Sequence, residues 1–322
     1  MLWLCQNAKG FIFRELFAAA LSHSAAPHLP FSATGLTLCP RLPSPPSMKS
    51  PAGFAFTSFS LAALLLLAGC YSVPVTGRSA MNLMDDKEVT KMSIAAFDEM
   101  KHQYRVSTDK ERIAQLQRIG DRISKVVFWD MPDADWEFVV FDVPNQINAF
   151  AMGGGKVGVF SGLYKIIDND DQLASVISHE IAHVTAKHIH EQLSQEMMVN
   201  TGGLVGGVAL MGSGAGMLTS SAIMNAYGLT AGVTGLAFDR KKEKEADYIG
   251  LMYMARAGYD PEESVKVLDK LDQESASQPA QPAFLSTHPS NPERIVQLLD
   301  AMPKALKLRE QAKIEQKPVL IK

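Results

Sequence analysis

Two histidines four residues apart, with a glutamate directly after the first, constrain this chain more than any other feature: His179-Glu180-Ile181-Ala182-His183. An α-helix turns about 100° per residue, so residues four apart stand one above the other on one face. Both imidazoles can then reach one ion, and imidazole suits zinc. Glu180 sits where it can take a proton from a water that such an ion activates. Leu173, Val176, Ile177, Ile181 and Val184 supply a buried face, so the spacing predicts a helix over 171–198 with an acidic start at Asp168 to Asp171.

Two imidazoles do not complete a zinc shell. A structural site closes with a fourth protein ligand, often a thiolate, and the three cysteines Cys5, Cys39 and Cys70 lie far upstream. A catalytic site needs one more ligand and leaves a position open. The charged stretch 239–247 offers it: Glu243 and Asp247 are again four apart. Glu243 suits the metal, and Asp247 suits the outer N–H of a ligand histidine, fixing its ring and tautomer. Glu245 points elsewhere on that helix and has no partner at this spacing. His188 lies five residues beyond His183, about 500° around a continuous helix, so it and His190 are expected in solvent. By spacing alone His288 reads as a loop residue.

The remaining pattern predicts an α+β fold, mainly helical, with a small antiparallel sheet beside the histidine helix. Helices are expected over 85–104, from a cap at Thr108 or Asp109, over 239–258, after Asp260-Pro261, and over 292–301. Strands are expected over 136–143, 147–152 and 156–160, the last two joined at Gly153-Gly154-Gly155. The strand over 147–152 could take an extended peptide by strand addition or be an ordinary edge strand. Residues 197–238 carry no formal charge and are glycine-rich at first. They read as a buried helical hairpin, a membrane-dipping element or a flexible loop. With 47% hydrophobic and 20% charged residues the chain can bury a core, and a net charge of −3 argues against a nucleic-acid partner.

The N-terminal stretch carries a second signal. Met48-Lys49 opens an apolar run over 54–67 that ends in Leu67-Ala68-Gly69-Cys70. At about 1.5 Å per residue the run spans roughly 21 Å, short of the ~30 Å of a bilayer core. It reads as a cleaved signal over 48–69, and its end resembles a bacterial lipobox, which implies lipidation of Cys70. The expected organisation is an over-long gene start at 1–47, a signal at 48–69, a tether at 70–84, a catalytic domain at 85–303 and a polar tail at 304–322. The expected address is the cell envelope, lipid-anchored and periplasm-facing at the outer membrane.

Taken together, these motifs resemble the zinc metallopeptidases of the HtpX and CAAX prenyl endopeptidase family, gluzincins, and within it a bacterial lipoprotein branch related to the mitochondrial overlapping-activity protease. The resemblance runs over about 72–294. It rests on Val73-Pro74-Val75-Thr76-Gly77-Arg78, Asn148-Ala149-Phe150-Ala151, the histidine helix, the segment 240–247, and Thr287-His288-Pro289 with Arg294. It implies one zinc ion per chain on His179, His183 and Glu243, with Glu180 as base. It also implies that His288 approaches the metal, to plug the site or to support developing negative charge; Tyr248 and Tyr253 are weaker candidates for that support. Asn148, Ala149, Phe150 and Ala151 become the substrate strand, and unfolded or misassembled envelope proteins the substrates. The competing class is a lipoprotein chaperone or assembly factor that uses the same groove with little proteolysis.

Overall fold

The computed structural model describes residues 70–200, 220–226, 229, 238–277, 283–289 and 292–315. The expected extension at 1–47 and signal at 48–69 lie outside them, as does the Cys70 side chain. From Ser72 onward the described residues belong to one compact unit.

Strand β1 (Cys70–Ser72) and strand β2 (Ser79–Met81) flank a turn in which Val75 and Gly77 adopt φ of 66° and 68°. Val73 and Ala80 are buried, so this segment is packed into the domain rather than hung from it as a tether. Helix α1 (Asp86–Gln103) begins where the Asp85 side chain accepts the N–H groups of Lys87 and Glu88. Helix α2 (Lys110–Val126) begins where Asp109 accepts those of Glu111 and Arg112. Each cap satisfies donors that the helix cannot.

Strands β3 (Glu137–Phe141), β4 (Ala149–Met152) and β5 (Lys156–Phe160) form a sheet of order β3-β5-β4. The β4–β5 hairpin is antiparallel and turns through Gly154 and Gly155, at φ of 79° and 81°, where a side chain would be strained. Strand β3 pairs with β5 in parallel, Glu137 opposite Lys156 and Phe141 opposite Phe160. The sheet is therefore mixed. The chain leaves β3 for the far edge and turns back into the gap, so the returning strand runs the same way as the first.

A 3-10 turn (Ser161–Lys165) leads to helix α3 (Asp170–Thr185), capped by Asn169. The single helix expected over 171–198 is broken. Lys187 takes a left-handed φ of 55°, and helix α4 (His188–Asn200) starts in a new direction. Helix α5 (Ser220–Ala226) follows, within the uncharged tract. Its Ile223, Met224 and Ala226, with Leu229, join the core formed by Phe97 of α1 and Phe141, Phe150 and Phe160 of the sheet. Among the described residues no helix is long and apolar enough to cross a membrane.

Helix α6 (Arg240–Arg256) is capped by Asp239 and crosses α3 closely. At the crossing, a Cβ on Gly250 would come within 2.9 Å of the His179 Cα. Glycine is what lets the two backbones meet there. Helix α7 (Glu263–Ser277), helix α8 (Ala283–Thr287) and helix α9 (Pro292–Glu315) complete the unit. Helix α9 continues through Pro303, where the sequence suggested a short helix and a polar tail. Buried Leu298, Ala301, Met302, Ala305 and Ala312 hold it against the domain across the missing proline N–H.

Candidate metal centre and active site

Helix α3 carries His179, Glu180 and His183, helix α6 carries Glu243 and Asp247, and the bend after α8 carries His288. All six side chains are buried. The His179 and His183 Nε2 atoms are 3.1 Å apart, as the four-residue spacing requires. Glu243 places Oε1 3.3 Å from the His183 Nε2 and Oε2 3.5 Å from the His179 Nε2. The His288 Nδ1 lies 3.3 Å from the His179 Nε2 and 3.0 Å from the Glu243 Oε1.

Two arms hold these groups from behind. The His179 Nδ1 is 3.0 Å from the Asp247 Oδ1, and Arg294 grips Asp247 in a fork, Nε to Oδ2 at 2.6 Å and Nη2 to Oδ1 at 2.7 Å. The Arg294 Nη1 also reaches the Glu243 Oε2 at 2.9 Å. On the other side, the His183 Nδ1 is 2.9 Å from the Nδ1 of His188, whose Nε2 is 3.1 Å from the Glu245 Oε2. Glu245 in turn accepts from Arg78 Nε and Thr76 Oγ1, each at 2.7 Å. His188 and His190 are thus buried, not solvated, because the break at Lys187 turns α4 back toward the site.

Burial presses the His179 pKa down, yet its bonds to Asp247 and Glu243 carry it up to about 10. Burial raises the Glu180 carboxyl above the ordinary glutamate range, against the pull of His288 and His179. Glu243 is also buried, but His288 and Arg294 outweigh this and hold it well below that range. Asp247 is lowered too, the Arg294 guanidinium overcoming the cost of burial.

One divalent cation fits this donor set. The ligand atoms of His179, His183, Glu243 and His288 lie within 4.8 Å of one another, all buried and without a thiol among them. The Glu180 Oε1 beside them is buried and has no hydrogen-bond partner among the described residues. Neither tyrosine joins the cluster: the Tyr253 hydroxyl donates to Asp130 at 2.7 Å, and the Tyr248 hydroxyl accepts from Lys304 at 2.7 Å. Ala149, Phe150 and Ala151 are buried on β4, the edge of the sheet, which packs against α3, and Asn148 is buried just before it.

The model of peptidase family M48 matches residues 110–302, well over half of the sequence. The chain belongs to peptidase family M48. As an M48 member it is a zinc-dependent metalloendopeptidase, a hydrolase acting on protein substrates. It is 32% identical over 241 residues to the mitochondrial metalloendopeptidase OMA1 of Schizosaccharomyces pombe, covering 74% of this chain and 68% of that protein. The protein of the same name from Saccharomyces cerevisiae is 39% identical over 182 residues, 55% of this chain and 50% of its own. The beta-barrel assembly-enhancing protease of Escherichia coli is 34% identical over 170 residues, 51% of this chain and 34% of its own. The resemblance to a zinc metallopeptidase family related to the mitochondrial protease is therefore right. The address inferred from Cys70 is not. The two yeast relatives are mitochondrial, so a lipid-anchored, periplasm-facing place at a bacterial outer membrane does not follow from this kinship.

Three features of this M48 site lay beyond the sequence reading: the His188–Glu245 pair, Arg78 behind it, and the forked Arg294. Thr76-Gly77-Arg78 and Arg294 were visible only as parts of a familial pattern. Nothing in their spacing marks them as partners of residues more than forty positions away.

Proposed function

We propose that this M48 endopeptidase holds its zinc ion on His179, His183 and Glu243, uses Glu180 as general base, and acts in protein quality control on unfolded or misassembled proteins. One observation carries the catalytic part: a buried glutamate, one oxygen of which has no hydrogen-bond partner among the described residues, stands beside a buried cluster of nitrogen and oxygen donors. Zinc in such a site supplies Lewis acidity, polarising a peptide carbonyl and lowering the pKa of water.

The chain's own groups do the rest. Glu180 takes the proton of the attacking water and delivers it to the leaving nitrogen. Its raised pKa suits that exchange, since a base with a pKa nearer neutrality can both accept and return a proton. His288 lies within bonding distance of Glu243 and 3.6 Å from the Glu180 Oε1, so its ring stands among the groups that would hold the ion. Next to a bound peptide, its imidazole would support negative charge on the substrate oxygen. Strand β4 would take the substrate as an added strand. Its side chains are buried and Phe150 is committed to the aromatic core, so pairing would read backbone rather than sequence. The S. pombe and S. cerevisiae relatives are named metalloendopeptidases and the E. coli one is named for assembly of β-barrels, which supports protein substrates and a quality-control setting.

The test is casein hydrolysis by the zinc-loaded full chain against Glu180→Gln. The expected loss is at least about 10²-fold, the usual contribution of a positioned base. Wild-type kcat/KM should fall on the acid side, because only ionised Glu180 accepts the proton. Equal rates in both proteins would favour a chaperone that uses the same groove.

A further inference from the structure

We propose that His188 is a positioning residue of the metal centre: it fixes the ring and tautomer of His183 and is itself fixed by Glu245 and Arg78, which ties the segment around Thr76-Gly77-Arg78 to the site. This rests on the reading of His183 as a zinc ligand.

The geometry places each proton. Glu245 Oε1 accepts from the Thr76 hydroxyl and Oε2 from Arg78 Nε, each at 2.7 Å. Arg78 is anchored a second time by Glu191, Nη2 to Oε2 at 3.1 Å. So held, the Glu245 Oε2 faces the His188 Nε2 at 3.1 Å, and a carboxylate oxygen can only accept, so that nitrogen carries the hydrogen. A neutral imidazole has one N–H, so the His188 Nδ1 is an acceptor. It meets the His183 Nδ1 at 2.9 Å, which must therefore be the donor. The lone pair of His183 is thereby left on Nε2, the atom that faces the Nε2 of His179 at 3.1 Å and the Glu243 Oε1 at 3.3 Å. The reverse assignment would set an unprotonated His188 Nε2 against the Glu245 carboxylate, two acceptors in contact.

Two local features hold the relay in place. Lys187 keeps a left-handed φ of 55°, a conformation that crowds the Cβ of a lysine, and this is what brings His188 back over His183. The Phe238 ring stacks on the His183 ring, with centroids 4.0 Å apart, so the imidazole is fixed in its plane as well as at its outer nitrogen. His188 itself has no exposure, so water cannot replace its hydrogen bond to His183.

The experiment compares the full chain with His188→Phe, His188→Gln and Glu245→Gln. It reads the rate of zinc release to a chromophoric chelator, the visible absorption bands of the cobalt-loaded protein, and kcat and KM on casein at saturating zinc. His188→Phe should release zinc about 10–100-fold faster, the usual effect of losing such an outer partner, with shifted cobalt bands and a lower kcat at unchanged KM. His188→Gln, whose amide can accept from His183 and donate to Glu245, should restore most of the slow release. Glu245→Gln should move release and bands in the same direction by less. A folded His188→Phe with wild-type release and bands overturns the relay. Where His188→Phe does not fold, wild-type release and bands in Glu245→Gln overturn it. A wild-type chain that binds zinc but cleaves casein no faster than Glu180→Gln fails the proposed function while the release rates still judge the relay.

Discussion

The two arms behind the histidine pair solve one problem in different materials. His179 is held directly by a carboxylate, Asp247, which is clasped by Arg294. His183 is held through a second imidazole, His188, before a carboxylate, Glu245, and an arginine, Arg78, are reached. The first arm is built from uninterrupted stretches of α3, α6 and α9 and is sealed, Arg294 keeping 2% of its side-chain exposure. The second needs a left-handed residue at Lys187 and a turn at 73–78, and it ends at an arginine 26% exposed. The difference is one of dielectric as much as geometry. Charges deep in the protein interact strongly and are costly to strand, whereas those near water are screened.

The contrast can be broken most forcefully at the sealed arm. Asp247→Ala removes the carboxylate between His179 and a buried guanidinium, and should cost about 3–5 kcal/mol of stability, the usual result of breaking a buried pair. Chemical denaturation should read it as a lowered midpoint. Arg78→Ala on the open arm should cost no more than about 1 kcal/mol in the same measurement. Equal losses would mean that the arms do not differ in the way their burial implies. Between these lies Gly250→Val. Its side chain meets the α3 backbone at His179, so overpacking should cost roughly 1–3 kcal/mol and loosen zinc on the sealed side. Unchanged stability would show that α3 and α6 can separate freely.

The same division decides what could be read from the sequence. His179 with His183, and Glu243 with Asp247, each lie four apart on an unbroken helix, so the period of the helix discloses their common face. His188 was hidden because the period was extended through Lys187, where the backbone leaves the helix. Glu245 then seemed to lack a partner, since its partner was the misplaced histidine. Arg78 and Arg294 reach their carboxylates across 167 and 47 residues, and no local pattern encodes such a pairing. In the fold, the cap at Asp109 and the glycine turn at 153–155 followed from side-chain chemistry, whereas Asp85, which the sequence placed in the first turn of its helix, is the cap before it. The parallel pairing of β3 with β5 depends on the path between strands, and the passage of α9 through Pro303 depends on tertiary packing that overrides the proline. Neither has a local signature.

The central claim is a single zinc ion held by nitrogen and oxygen from His179, His183 and Glu243. X-ray absorption at the zinc edge, with metal analysis of the full chain and Glu243→Gln, tests it most directly. The account predicts one zinc per wild-type chain, nitrogen and oxygen neighbours at about 2.0–2.2 Å with no sulfur, and weakened binding with one oxygen neighbour lost in the variant. A wild-type chain that takes up no zinc, or a Glu243→Gln spectrum and affinity identical to wild type, would contradict it.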